Sequence, residues 1–200
     1  MQSTRAFKEG WIEPQDEGSQ LLALFVGAKR GDTVVDFCAG AGGKTLALGA
    51  AMDNEGRLFA FDSNAARLEK LWPRVKRAGV TIAKRGHPER LANECDAVLV
   101  DVPCSSSGAL RRHPELRLRE VSLARLQAQQ SAILQSAAPL VRPGGALVYA
   151  TCSLAREENE DVVRQFLTGH AGFSQEDVLS LLPHRDGTDG FFAVRLRRRS

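Results

Sequence analysis

The sequence predicts an α/β fold with a mostly parallel sheet, and three observations predict it. Five short apolar runs, each ending in a small or acidic residue, are followed by segments with the helical apolar period. Turn signals stand at the joints: Gly31-Asp32, Asp53-Asn54-Glu55-Gly56 and Arg142-Pro143-Gly144-Gly145. The 200 residues, 43% of them hydrophobic, suit one domain with a sizeable core. Strands that alternate with helices pair in parallel, because each helix carries the chain back across the sheet.

In chain order, residues 1–30 read as an N-terminal lead-in packed on the core, and residues 31–200 as the domain itself. The strands are Thr33–Phe37, Arg57–Phe61, Thr81–Lys84, Ala97–Val100 and Ala146–Ala150. Between them Thr45–Met52, Ala65–Ala78 and Val121–Leu140 carry the helical period, with Ser63 or Asn64 able to cap the second helix. A helix over Glu157–Leu167 follows, and then Phe173–Leu179 and Gly190–Leu196 form a hairpin pair closing one sheet edge. The terminal Arg197-Arg198-Arg199 reads as a frayed, solvated end.

Composition narrows the class further. No run of eighteen apolar residues is present, so neither a membrane span nor a membrane partner is expected. The four cysteines lack the paired spacing of a zinc site, so no metal is expected, and free thiols in a reducing compartment are the natural reading. Net charge is +3, and the excess lies in residues 111–200, with 13 basic against 10 acidic side chains. That asymmetry suits a polyanionic partner, though a solvated surface explains it equally well.

An open parallel sheet binds its ligand beyond the carboxyl ends of the strands, where the first strand hands over to the first helix. That turn reads Asp36-Phe37-Cys38-Ala39-Gly40-Ala41-Gly42-Gly43-Lys44-Thr45. A dinucleotide fingerprint starting at Gly40 requires its third glycine where Thr45 stands, and a phosphate-cradling P-loop requires a glycine where Cys38 stands. Both fail on spacing. An S-adenosylmethionine site remains: a glycine-rich turn beneath the amino-acid end of the cofactor, and an acid after the second strand to accept the ribose hydroxyls. Asp62 stands there, 22 residues after Gly40.

Strand four runs into Asp101-Val102-Pro103-Cys104-Ser105-Ser106-Ser107-Gly108, and strand five into Thr151-Cys152-Ser153. Two cysteines thus emerge at the ligand edge, whereas Cys95 reads as a buried structural thiol. Carbon 5 of cytosine is too poor a nucleophile to take a methyl group unaided. A thiolate added at carbon 6 pushes electron density onto it. Afterwards the carbon 5 proton must be removed and the thiolate expelled, a step that a second cysteine can assist. The chemistry alone does not rank the two cysteines.

Asp101-Val102-Pro103-Cys104 with its serine-rich turn, Arg111-Arg112-His113-Pro114, Leu147-Val148-Tyr149-Ala150-Thr151-Cys152-Ser153 and Glu158-Asn159 resemble successive motifs of the RsmB/Sun family, which makes 5-methylcytosine in RNA. The resemblance extends from Gly18-Ser19-Gln20, similar to the family's Gln-Asp-x-x-Ser/Ala opening segment, to Asp189-Gly190-Phe191-Phe192. It implies a Rossmann-like class I methyltransferase fold, with S-adenosyl-L-methionine as cofactor and RNA as substrate, rRNA before tRNA. It also implies Cys152 as nucleophile and Cys104 as the group promoting release, with Asp101 and Lys44 completing the catalytic set. Cys38, Ala39, Gly40, Ala41, Gly42, Gly43 and Lys44 would surround the methionine moiety, with Asp62 on the ribose, Arg67 near the pocket and Asp101 between cofactor and cytosine. Arg111, Arg112 and His113 would meet RNA phosphates.

Two positions depart from the family pattern. Gly40-Ala41 replaces the commoner Ala-Pro before Gly42, and Arg85-Gly86-His87-Pro88 stands where an acid usually holds the adenine amino group. Either His87, when neutral, accepts one hydrogen bond there, or backbone groups hold the adenine. Family members usually carry an RNA-binding module ahead of the core, so a separate RNA-binding domain or subunit is an expected partner. A non-catalytic RNA-binding subunit of the same fold is the alternative function. The cytoplasm is the expected compartment, with nucleolus or organelle as alternatives.

Overall fold

The computed structural model describes residues 2–200; Met1, the first residue of the expected lead-in, lies outside them. Seven strands form one sheet: β1 (Thr33–Asp36), β2 (Arg57–Ala60), β3 (Ala83–Arg85), β4 (Cys95–Asp101), β5 (Val141–Thr151), β6 (Phe173–Leu181) and β7 (Phe191–Arg198). Their order is β3-β2-β1-β4-β5-β7-β6. The first five pair in parallel, and β7 runs antiparallel to both β5 and β6. The expected edge hairpin is therefore present, with its second strand inserted next to β5.

The helices are α1 (Arg5–Lys8), α2 (Glu17–Phe25), α3 (Gly43–Ala51), α4 (Ala65–Glu69), α5 (Leu71–Arg77), α6 (Leu123–Ala137), α7 (Glu160–Gly169) and α8 (Pro183–Asp186). Side chains alternate across the central strands, so each strand feeds two cores. Val35, Val98, Leu147 and Tyr149 pack beneath α6 and α7 with Leu134, Val162 and Phe166. Val34, Leu99 and Val148 face the other way, against Leu22 and Val26 of the α2 segment and Leu48 and Met52 of the α3 segment. Burial on both faces explains why these strands read as near-continuous apolar runs.

Several expected elements are modified, each for a local reason. The single helix expected over Ala65–Ala78 breaks after Glu69. Pro73 has no N–H to return to the Glu69 carbonyl, so α4 ends and α5 starts afresh. Asn64, not Ser63, caps α4, its Oδ1 accepting from Arg67 N at 3.1 Å. The helix expected over Val121–Leu140 starts at Leu123 behind the Ser122 cap, and its last turn, Ala138–Leu140, is 3-10 around Pro139. The helix expected from Glu157 begins as a 3-10 turn, Arg156–Glu158, and becomes α7 after a break at Asn159.

The turn expected at Arg142–Gly145 is a bulge inside β5: partners step from Cys95↔Val141 to Ala97↔Ala146, and Gly144 adopts φ 74°. The C-terminal arginines are not frayed. Arg197 and Arg198 pair in the ladder with Ser174 and Phe173. Arg197 Nη2 donates to Glu176 Oε2 at 2.7 Å, Arg198 Nη1 donates to the Val141 carbonyl, and Arg199 N donates to Gly172 O at 2.8 Å. Among the described residues no helix is long and apolar enough to cross a membrane.

Candidate active site

The sheet order reverses between β1 and β4, and the crevice opens beyond their carboxyl ends, as open α/β sheets require. The turn from β1 to α3 needs glycine at two positions. Gly40 takes φ 54° and Gly42 takes φ 90°; a Cβ on Gly42 would lie 1.9 Å from Leu71 Cδ1. Asp62 secures the turn, its Oδ2 accepting from Gly40 N at 2.8 Å and its Oδ1 from Asn64 N at 2.7 Å. Beneath the turn, buried Asp36 accepts from Thr45 Oγ1 at 2.7 Å through Oδ2, while its Oδ1 has no partner. Burial pushes the Asp36 carboxyl up to about 6 against the opposing Thr45 hydrogen bond.

Two cavities adjoin this turn. One of about 480 Å³ is lined by Phe37, Phe61, Asp62, Arg67, Ile133 and Pro103 among others, and reaches Cys38, Asp101, Cys104 and Cys152. Its apolar wall includes the Phe37–Phe61 ring pair, with centroids 5.1 Å apart. A smaller space of about 160 Å³ lies along Cys38–Lys44 and touches Arg67 and Arg74. Cys38 stays a thiol, since burial and then Asp101 push its pKa up. His87 is exposed, lies 3.6 Å from Glu89 through Nδ1, and does not line either space.

Cys104 and Cys152, 48 positions apart, place their sulfurs 3.4 Å from one another. The hydrogen bond from Cys104 is the largest influence on Cys152 and pulls it down to about 7, helped by Ser106 and Lys44 and opposed by burial and Asp101. The same contact, with burial, pushes Cys104 up. The contact thus favours a thiolate on one sulfur held by a thiol on the other, and the two titrate as a pair. Lys44 Nζ lies 2.7 Å from Asp101 Oδ2 and over the Phe191 ring, 5.4 Å from its centroid. Burial disfavours the Lys44 ammonium, but Asp101 outweighs it and the pKa rises.

Asp101 and Cys152 also border a further cavity of about 490 Å³, whose lining includes Lys44, Ser106, Arg112, His113 and Phe191. The arginines expected to be free for phosphates are partly engaged. Arg112 donates from Nε to buried Asp189 at 2.8 Å, Arg111 Nη1 donates to Gly187 O at 2.7 Å, and His113 Nδ1 lies 3.0 Å from Glu115. Asp189 thereby acquires a structural task, and Gly190 N donates to Gly108 O at 2.9 Å, so the C-terminal motif braces the turn after Cys104.

Sequence reasoning missed Arg74 and Arg119. Arg74 donates to the Ala41 carbonyl of the glycine turn and, at 2.9 Å, to Glu13, fastening the N-terminal segment to the site. Arg119 Nη2 donates at 3.2 Å to the carbonyls of Cys104 and Ser105. Neither carries a signal, because a single arginine looks the same whether solvated or inward-facing.

Sequence comparison completes the picture: the family described as 16S rRNA methyltransferase RsmB/F matches residues 23–197. The chain belongs to the RsmB/F family. A probable ribosomal RNA small subunit methyltransferase B from Synechocystis sp. is 35% identical over 96% of this chain and 49% of its own. Its Bacillus subtilis counterpart is 34% identical over 98% of this chain and 50% of its own. The crystal structure of NSun6 from Pyrococcus horikoshii superimposes with a TM-score of 0.88 at 29% identity, over all of this chain and 56% of that one. The chain thus spans about half the length of the two bacterial relatives.

S-adenosylmethionine is the cofactor of this RsmB/F-type fold, and the residues fit it. Gly40, Gly42 and Gly43 line the smaller space without side chains, so backbone is what the turn offers to a ligand there. The cavity beside Asp62 falls within the size range of small-ligand pockets, and its walls are aromatic and aliphatic.

Proposed function

We propose that this chain is the catalytic core of an RNA cytosine-C5 methyltransferase acting on rRNA, with Cys152 as nucleophile and Cys104 assisting release. The observation that carries the reading is the pair of thiols 3.4 Å apart, bordering the cofactor cavity. Cys152, ionised near neutrality by Cys104, adds to cytosine carbon 6 and forms a carbon–sulfur bond; the carbon 5–carbon 6 π electrons move onto the ring. Bound S-adenosylmethionine supplies an electrophilic methyl group for carbon 5.

Asp101 faces both cavities and accepts a hydrogen bond from the cytosine amino group, with Lys44 holding its carboxylate in place. Cys152 in the adduct is a neutral thioether, so the largest influence holding the proton on Cys104 is gone. Cys104 gives its proton to water entering the open cavity, the thiolate takes the carbon 5 proton, and the electrons of that carbon–hydrogen bond re-form the carbon 5–carbon 6 double bond and expel Cys152 as thiolate. Cys38–Gly43, Asp62 and Arg67 hold the cofactor, and Arg112 and His113 present the RNA-facing rim of the further cavity. Arg111 and His87 fall outside these cavity linings and are assigned no contact.

Denaturing gels test the division of labour. Cys104→Ala, incubated with cofactor and unmodified 16S rRNA transcript, accumulates a retarded covalent protein–RNA species, whereas Cys152→Ala forms none. A retarded species from Cys152→Ala, or its absence from a folded Cys104→Ala, contradicts the assignment.

A further inference from the structure

The carboxylate of Glu158 is completely buried, and no cation pairs with it among the described residues. Burying a carboxylate is unfavourable unless donors replace its water. Here three do. Oε1 accepts from Ser105 N at 2.9 Å and from Gln130 Nε2 at 2.8 Å, and Oε2 accepts from Ser153 Oγ at 2.5 Å. Ser105 follows Cys104 and Ser153 follows Cys152, so one carboxylate grips the neighbour of each sulfur.

Further bonds stiffen the same unit. Gln130 Nε2 also donates to Pro103 O at 3.0 Å, on the other side of Cys104. The Tyr149 hydroxyl donates to the Glu158 carbonyl at 2.5 Å, and Asn159 Nδ2 donates to Ser153 O at 2.9 Å. The sulfurs themselves sit on separate strand ends with no covalent link, in a sheet that fixes backbones but not the loops beyond them. Something must hold those loops in register to sulfur–sulfur hydrogen-bonding distance.

We infer that Glu158 is the positioning residue for the thiol pair, its two oxygens setting the separation of the Cys104 and Cys152 loops and hence the nucleophile's activation. This rests on the reading of Cys152 and Cys104 as the working pair. Loosening the clamp lengthens the Cys104–Cys152 contact, the largest cause of the low Cys152 pKa. The charged or titratable groups facing Cys152 are otherwise unchanged: Asp101 from the β4 end, Lys44 from α3, and Arg112, His113, Asp16 and Asp189 around the shared cavity. Glu158→Gln keeps the clamp, with Oε1 toward Ser105 N and Nε2 donating to a Ser153 hydroxyl turned to accept.

The experiment is peptide-resolved alkylation of Cys152 by iodoacetamide across pH, on the whole chain, with cofactor binding as the check on folding. In Glu158→Ala the midpoint rises by about one pH unit or more, toward the ordinary thiol value. Ser153→Ala, which deletes a single oxygen, shifts it the same way, and Glu158→Gln restores it. A purely structural Glu158 would lower stability and leave the midpoint of the folded protein where it was. If Glu158→Ala does not fold, Ser153→Ala against wild type decides. An unmoved midpoint in the folded variants overturns the inference while leaving wild-type RNA methylation intact. A moved midpoint in a wild type that methylates no RNA supports the clamp and removes the catalytic reading instead.

Discussion

The chemistry concentrates in side chains whose neighbours come from distant parts of the chain. Lys44 and Asp101 form an ion pair that is mostly buried, with side-chain exposures of 13% and 26%. Such a pair is retained for geometry more than for stability, because desolvation offsets much of its attraction. Asp36 is simpler to test. Its folded pKa of about 6 lies above its ordinary 3.8, so the protonated form is favoured by folding. Its contribution is fully present below 3.8 and is lost as pH rises through about 6. Across that window wild type should lose about 3 kcal/mol relative to Asp36→Asn, whose side chain does not titrate. Urea denaturation of both proteins at acid and mildly alkaline pH checks this; a stability gap that does not move with pH contradicts the burial argument. At this scale the sequence displayed the cysteines and Asp62 clearly, because strand ends mark them. It hid Arg74 and Arg119, whose inward direction only packing decides, and it placed His87 at the adenine site, whereas the chain turns that ring to solvent.

Elements carry these residues to the crevice through their ends. The β1–α3 turn works only because Gly42 adopts a left-handed conformation against Leu71. Gly42→Ala incurs about 1–2 kcal/mol of backbone strain and a clash besides, so a melting temperature lower by at least several degrees is expected, with weakened cofactor binding. Gly79→Ala is the control: φ is 67° but nothing lies within 4 Å of the added carbon, so calorimetry should find cofactor affinity unchanged. Equal losses of affinity in both would remove the turn's special role. The strands followed from apolar runs and survived with shifted limits, whereas their order in the sheet, β3-β2-β1-β4-β5-β7-β6, is set by packing that those runs do not display. Boundaries shifted where backbone chemistry intervened: Pro73 divided one predicted helix, and the glycines of Arg142–Gly145 made a bulge in place of a turn. A pattern of apolar residues reports burial, and it is silent about a missing N–H.

On the scale of the molecule, the two cores on opposite faces of the sheet hold strand ends in fixed register, and two loop systems meet above them. The C-terminal hairpin does more than close an edge, since Asp189 and Gly190 at its base brace the turn that follows Cys104. Its arginines serve the sheet: Arg195 and Arg197 pair with Glu176, which pulls that carboxyl down, chiefly through the Arg197 hydrogen bond. On the proposed reading, RNA would meet the rim near Arg112 and His113. The measurement that tests the central claim most directly is transfer of a labelled methyl group from S-adenosylmethionine to RNA, followed by nucleoside analysis of wild type and Cys152→Ala. Label in 5-methylcytidine with wild type, and none with the variant, is the expected result; label in another nucleoside, or undiminished label with Cys152→Ala, would contradict it.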